Sequence, residues 1–219
     1  MLDAGAGTGA VCRALRDARA TPIALDSSAD MLAQIGSATL AVVGDICAQP
    51  FLDASFDAAV STFTISHLEN PEQALLETRR VVRPQGLVIA AVFGATSSNA
   101  SKDAVDRIAV EYGFVAPAWH ETLKTRTEPL TNVPGRLRAC AEAAGLRDVS
   151  IDDVIVDPGL DSPEALVEYR IGMAHLAPFV SSLAAGEREL FIRRATAEVA
   201  RSGQAIRPRV LILSSRASE

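Results

Sequence analysis

The chain opens Met1-Leu2-Asp3-Ala4-Gly5-Ala6-Gly7-Thr8-Gly9-Ala10, an acid followed at once by three alternating glycines, and no other stretch restricts the fold as much. Glycine reaches positive φ without a Cβ clash, so this spacing describes a tight turn that offers backbone rather than side chains to its surroundings. Leu2 and Asp3 read as the end of a strand and Thr8–Ala18 as a helix, which makes the turn a strand-to-helix connection. The first N–H groups of such a helix lack partners within it and carry partial positive charge, so an anionic group is expected above the glycines. Strand, glycine turn and helix together begin a βαβ unit and commit the chain to a parallel sheet.

The residues that follow continue the alternation. Thr21–Asp26, Thr39–Asp45, Phe56–Thr62 and Leu87–Phe93 are near-continuous apolar runs, as expected of strands covered on both faces. Helical stretches at Ser28–Ile35 and Pro71–Val82 separate them, Pro71 suiting a first helical turn, and Arg83-Pro84-Gln85-Gly86 reads as a tight turn. From Gly94 the pattern changes: Ala95–Ser101 reads as a small, polar linker, Lys102–Tyr112 as a helix and Gly113–Thr131 as irregular. A helix over Val133–Ala144, ended by Gly145, and a strand over Val149–Val156 restore regularity. Helices at about Pro163–His175 and Gly186–Ser202 and a strand over Pro208–Ser214 complete the chain. The expected fold class is therefore α/β, a single domain over residues 1–219 built on one doubly wound, mostly parallel, Rossmann-like sheet with helices on both faces. Its connections at about 94–131 and 157–204 are expected to be enlarged into a substrate cover over the carboxyl edge of the sheet.

Composition narrows the function classes. A formal charge of −6 with scattered Lys and Arg disfavours a nucleic-acid surface, which needs clustered cations. No apolar run reaches the roughly 18 residues of a membrane helix, and no basic region followed by an apolar stretch marks a leader, so a cytoplasmic location is expected. Cys12, Cys47 and Cys140 lie far apart without a Cys or His partner at ligand spacing, which argues against both a disulfide framework and a metal site. Cys12 and Cys47 read as small buried residues rather than nucleophiles, because nothing near them in sequence lowers a thiol pKa.

In doubly wound sheets ligands bind beyond the carboxyl ends of the strands, so the residues to question are those that end each strand. Gly5-x-Gly7-x-x-Ala10, with Asp26 about 20 residues on, satisfies a relaxed dinucleotide pattern, and a nicotinamide-dependent oxidoreductase is one reading. Three details favour another ligand. Asp3 places a negative charge where a pyrophosphate would approach and suits an ammonium group instead, Gly9 lengthens the pattern to Asp-x-Gly-x-Gly-x-Gly, and Gly44-Asp45 ends the third strand with a further carboxylate.

In family order, LDAGAGTG, ALDSSADML, VVGDICAQPF, SFDAAVSTFTISHL and LLETRRVVRPQGLVIAAVF resemble the class I S-adenosylmethionine-dependent methyltransferases, in particular the small-molecule group with quinone-biosynthesis and malonyl-carrier-protein members. The resemblance covers about residues 1–93. It implies a seven-stranded sheet with an antiparallel last strand, S-adenosylmethionine as cofactor and a small-molecule methyl acceptor. It also implies that Asp3 and the Gly5, Gly7 and Gly9 turn hold the methionine end, that Asp26 accepts from the ribose hydroxyls, and that Asp45, beside the Ile46 backbone, accepts from the adenine amino group. Ser27 and Met31 would line the adenosine pocket, with Thr62 or Phe63 near the sulfonium. Relatives commonly carry helices ahead of the first strand, and here only Met1–Ala4 precede the turn, so the first strand and the preceding helices are expected to be truncated.

Plainer readings stand beside these. Asp26 and Asp45 suit local capping, and Met31 suits core packing on the apolar face of its helix. His67 reads either as a general base facing the substrate or as an ordinary loop histidine. Tyr112, Trp119, His120 and Tyr169 read as an acceptor pocket, with Phe179 and His175 as further candidates, or as packing within the enlarged connections. A non-catalytic cofactor-binding module is the remaining alternative.

Overall fold

The three residues Leu2–Ala4 form strand β1 in the interior of a seven-stranded sheet, with β2 (Ile23–Asp26) and β4 (Phe56–Thr62) as parallel neighbours. The computed structural model describes residues 1–95 and 99–218. The sheet runs β3-β2-β1-β4-β5-β7-β6, where β3 is Leu40–Val43, β5 is Val82–Phe93, β6 is Arg147–Ile155 and β7 is Arg209–Arg216. Strands β1 to β5 pair in parallel, and β7 pairs antiparallel to β5. This is the doubly wound α/β architecture expected from the sequence.

Alternation along the short central strands distributes the core between two faces. On one face Leu2, Ala4 and Leu25 pack with Leu75 and Val81 of α3 (Pro71–Val81) and with Leu137 and Ala141 of α6 (Pro134–Ala143). On the other, Ala24 meets Cys12 of α1 (Ala10–Asp17), Leu32 of α2 (Ala29–Leu32) and Ile35. Side-chain caps set the helix starts: Ser28 Oγ accepts from Met31 N–H, and Asn70 Oδ1 accepts from Gln73 N–H ahead of Pro71.

The chain divides into two compact units. The sheet unit comprises Met1–Ala95, Thr125–Val154 and Val210–Glu219, and the second comprises Thr96–Lys124 and Ile155–Arg209. The second unit has its own core, in which Val105 and Ile108 of α4 (Ala100–Glu111), Val167 of α7 (Pro163–Ile171), Val180 of α8 (Ala177–Ser182) and Phe191 of α9 (Ala185–Ser202) meet. Asn99 and Ser162 cap α4 and α7, and Gly203, at φ +61, ends α9 in the left-handed region.

Several local expectations are corrected. Strand β3 is not covered on both faces: it is an edge strand, with Leu40 and Val43 64% and 59% exposed. The Arg83–Gly86 turn lies inside β5, where pairing jumps from Phe56↔Val82 to Ala58↔Leu87 and the extra residues form a bulge. Gln85 and Gly86 then rejoin the sheet through reciprocal bonds with Ala217, because the bulge turns their backbone toward the end of β7. Of the Ala95–Ser101 linker, residues 96–98 lie outside the described residues, and Ala100 and Ser101 already belong to α4, started by the Asn99 cap. The stretch read as irregular holds α5 (Ala118–Thr122), a π-type turn over Leu123–Thr127 and a 3-10 turn over Glu128–Leu130. Its prolines sit at helix starts, where a missing N–H costs nothing. The helix at about Pro163–His175 stops at Ile171, and α8 begins at Ala177.

Phe191 is fully buried in the second unit's core, and Trp119, the only tryptophan, lies in the same unit. Phe191→Ala is expected to cost about 3–5 kcal/mol, read as a lowered urea midpoint of the tryptophan fluorescence transition.

Candidate functional site

The parallel registers Asp3↔Ala24 and Asp26↔Val43 bring the carboxyl ends of β1, β2 and β3 side by side, and the chain leaves β1 through the glycine turn. Gly5, Gly7 and Gly9 all have positive φ, at +81°, +53° and +79°. Gly5 and Ala6 N–H both donate to Leu25 O, at 2.8 and 2.9 Å. Gly7 N–H donates to Asp26 Oδ2 at 2.8 Å, and Ser28 N–H donates to Asp26 Oδ1 at 2.9 Å. The Asp26 carboxylate thereby pins the turn to the end of β2. Each of its oxygens keeps further acceptor capacity, since a carboxylate offers about four lone-pair sites.

The three glycines serve different needs. A Cβ on Gly5 would lie 2.3 Å from the Thr64 side chain, whose hydroxyl donates to Gly5 O at 3.1 Å. A Cβ on Gly9 would lie 2.9 Å from Ile35, so these two positions are fixed by close packing. Around Gly7 nothing lies within 4 Å of that position, and the turn there presents bare backbone to open space.

Asp3 lies beneath the turn at 0% exposure. Its Oδ2 accepts from the Cys12 thiol at 3.0 Å, and its Oδ1 is a buried acceptor with no hydrogen-bond partner. Desolvation raises the Asp3 pKa, and the nearby Asp26 charge adds to the rise. Burial likewise pushes the Cys12 thiol up to about 12, with the bond to Asp3 adding to it, so this thiol is no nucleophile. The carboxylate reaches its surroundings as a buried charge, not as an exposed contact.

Asp45 follows β3 and is exposed, its Oδ1 accepting from Cys47 N–H at 2.8 Å, while the Ile46 side chain enters the core. Ser27 is exposed beside Asp26. Met31 is 46% exposed and does not pack in the core; Leu32 takes the inward position, because α2 is a single turn and its buried face is correspondingly narrow. Thr62 ends β4, and Phe63, at φ +57, stacks its ring on Phe93 at the end of β5 with centroids 4.4 Å apart. His67 is exposed and closes a 3-10 turn over Ile65–His67.

The residues read as an acceptor pocket do not form one group. Tyr112 packs edge-on to Phe191 in the second core, and Tyr169 borders a separate depression of about 430 Å³ with Leu160, Glu168 and Met173. Trp119 meets His120 edge-on, and His120 stacks on His175 with ring centroids 3.9 Å apart. His175 is buried beside Arg170, which is held bidentately by Asp106 at 2.7 and 2.8 Å. Burial lowers the His175 pKa to about 4, and the Arg170 and His120 charges add to that against Asp106.

Three contributors escaped the sequence reading. Cys12 as partner of Asp3 and Thr64 as the strut on Gly5 carry no local signal, the latter lying 59 residues from its partner. Phe93 was accessible, since it ends β5 and obeys the same strand-end rule as Asp26. Among the described residues no three His, Cys, Asp or Glu side chains gather as a metal site, and no helix is long and apolar enough to cross a membrane.

Residues 2–90 match the family model described as a methyltransferase domain. The malonyl-[acyl-carrier protein] O-methyltransferase of Pseudescherichia vulneris is 45% identical over 91 residues, covering 40% of this chain and 36% of that protein. The chain thus matches little more than a third of that relative's length. The enzyme of the same description from Erwinia pyrifoliae is 30% identical over 197 residues, 87% of this chain and 68% of that protein. The solved phosphoethanolamine N-methyltransferase 2 of Haemonchus contortus, in complex with S-adenosyl-L-methionine, superposes with a TM-score of 0.62 at 17% identity. That match covers 100% of this chain and 48% of that one and establishes likeness of fold.

Two outcomes follow from this geometry. Gly7→Ala should cost about 1–2 kcal/mol, the price of left-handed backbone alone, whereas Gly5→Ala, with the Thr64 clash added, should lower the melting temperature clearly further. His175 stays neutral in the folded chain while the unfolded chain protonates it from about 6.5 downward, so folded stability should fall as pH drops from 6.5 toward about 4. Urea midpoints at a series of pH values, compared with His175→Gln, should lose that slope in the variant.

Proposed function

The chain belongs to the class I S-adenosylmethionine-dependent methyltransferases, and on that premise we propose that it binds S-adenosylmethionine over the carboxyl ends of β1, β2 and β3 and methylates a small-molecule oxygen, nitrogen or carbon acceptor. The observation that carries this reading is the placement of Asp26 and Asp45 at the ends of neighbouring strands, beside a turn whose Gly7 backbone faces open space. The residues fit the cofactor. Asp3 has an unpaired buried oxygen beneath the turn, an acceptor that an ammonium end of the methionine portion would favour in its charged form. The backbone N–H groups at the start of α1 favour its carboxylate.

Asp26 would accept from the ribose hydroxyls with the lone pairs that Gly7 and Ser28 leave available. Asp45, exposed and held by Cys47 N–H, would accept from the adenine amino group, with Ser27 and the exposed Met31 as polar and apolar edges of the same pocket. The Phe63 and Phe93 rings, stacked at the ends of β4 and β5, would flank the sulfonium, a cation that aromatic faces attract. Bound there, the cofactor supplies a methyl group already activated by positive sulfur. The chain's task is then alignment and exclusion of water, and such orientation is worth about 7–11 kcal/mol of barrier. Acceptor recognition is assigned to the second unit, around Trp119, His120 and His175, with Tyr112 and Tyr169 as outer candidates. His67 is the candidate base for an acceptor that arrives protonated. We place the protein in the cytoplasm, with neither a nucleic-acid nor a membrane partner.

Calorimetry with S-adenosylmethionine and S-adenosylhomocysteine tests the reading. Binding of either is expected, and Asp26→Ala should weaken it about ten- to hundredfold, the worth of a hydrogen bond to a charged group. A thermal shift with NAD(H) or NADP(H), and none with the adenosyl ligands, would return the chain to the oxidoreductase reading. Binding without methyl transfer to any acceptor class would leave the non-catalytic module.

A further inference from the structure

Outside the cofactor-facing residues, the densest polar network of the sheet unit surrounds one guanidinium. Arg80, on the last turn of α3, donates Nε and Nη2 to the two oxygens of Glu77, each at 2.8 Å. Its Nη1 reaches Phe51 O at 2.8 Å and Asp53 Oδ1 at 2.7 Å, and Nη2 also reaches Gln49 O at 3.0 Å. Glu77 in turn accepts from Gln49 N–H at 2.9 Å, and the Gln49 amide, buried, donates to Ile46 O and Thr78 Oγ1. Gln73, a turn earlier on α3, donates to Cys47 O at 3.2 Å. Most hydrogen bonds that tie the 45–53 segment to the rest of the chain thus run to α3, and most of those pass through the Arg80–Glu77 pair.

Apolar contacts of Ile46 and Phe51 hold the interior side of the segment, and the polar network orders the backbone between them. The segment follows an edge strand and carries Asp45 exposed at its start. The planar fork of Arg80 matches both carboxylate oxygens and two carbonyls at once, a role Lys cannot fill because it presents a point charge.

We propose that Arg80, together with Glu77, is the positioning residue of the adenine side of the site: it fixes the 45–53 segment against α3 and so sets Asp45. The proposal rests on the cofactor reading above. It acts through backbone order, and therefore changes ligand affinity without touching the ligand.

Cys47, half-buried two residues after Asp45, supplies a direct readout of segment order. Burial, with the Asp45 and Glu77 charges adding to it, raises its pKa, so slow alkylation is expected in the folded wild type. Cys12, buried under the glycine turn, reports global integrity in the same digest.

Iodoacetamide labelling at pH 8, quantified for each cysteine by peptide mass spectrometry, is combined with calorimetry of S-adenosylhomocysteine. In Arg80→Met, Cys47 labelling should accelerate about tenfold or more while Cys12 stays protected, and affinity should fall about tenfold. Arg80→Lys should give an intermediate value for both. Unchanged Cys47 labelling or unchanged affinity in a folded Arg80→Met chain overturns the proposal. If Arg80→Met exposes Cys12 as well, Glu77→Gln, which keeps shape and removes one charge, is judged by the same two criteria. Failure of the wild-type chain to bind S-adenosylhomocysteine sinks the cofactor reading separately, and the labelling rates then still decide whether Arg80 orders the segment.

Discussion

Two hydrogen bonds to one carboxylate hold the site together: Asp26 accepts from Gly7 N–H and from Ser28 N–H, joining the glycine turn to the end of β2. A turn made of three positive-φ glycines has more backbone freedom to lose than any other segment of its length, so its order must be imposed from outside. Asp26 imposes it from β2, the Leu25 carbonyl does so twice at Gly5 and Ala6, and Thr64 does so from beyond β4. With these restraints on either side, Gly7 is the glycine of the turn that faces open space.

The same restraints explain why an unfavourable charge is kept below the turn. Asp3 is completely buried, is raised in pKa by desolvation, and has one oxygen without a partner, which costs stability rather than adding to it. On the proposed reading that cost falls where the chain meets its ligand, as is common for strained or under-satisfied groups. Cys12 offsets part of it by donating to the other oxygen, and the price is a thiol that stays protonated. On the proposed reading an ammonium group above the turn completes the compensation, so ligand and fold stabilise each other through one buried charge.

Much of this was legible in the residues and some was not, for physical reasons. The order of strands and helices followed from apolar runs and caps, because period and capping are local properties. Whether a strand is central or at an edge is not local, and β3 shows it: Leu40 and Val43 look like core residues and lie at the margin of the sheet. Arg83–Gly86 was readable as a turn but not as a bulge that rejoins β7, since that depends on Ala217, more than a hundred residues away in sequence. Met31 was placed on a buried face by assuming a longer helix than the single turn of α2. In the site, carboxylates at strand ends were readable because topology puts them there, whereas Cys12, Thr64 and Arg80 act through contacts made only when the chain is folded.

The division of likeness to relatives follows the division of labour within the chain. The family model ends at residue 90, inside the sheet unit, and the 45% identical relative matches over a similarly short 91 residues. A cofactor shared by many enzymes constrains the strand ends that grip it to a few residue types. An acceptor that differs from enzyme to enzyme constrains only its own walls. On the proposed reading the second unit supplies those walls; it holds an independent core around Phe191, a stacked His120–His175 pair and a buried Arg170 locked by Asp106. The choice of acceptor is then set in the second unit, which the family model does not reach, before it is set by any residue of the sheet.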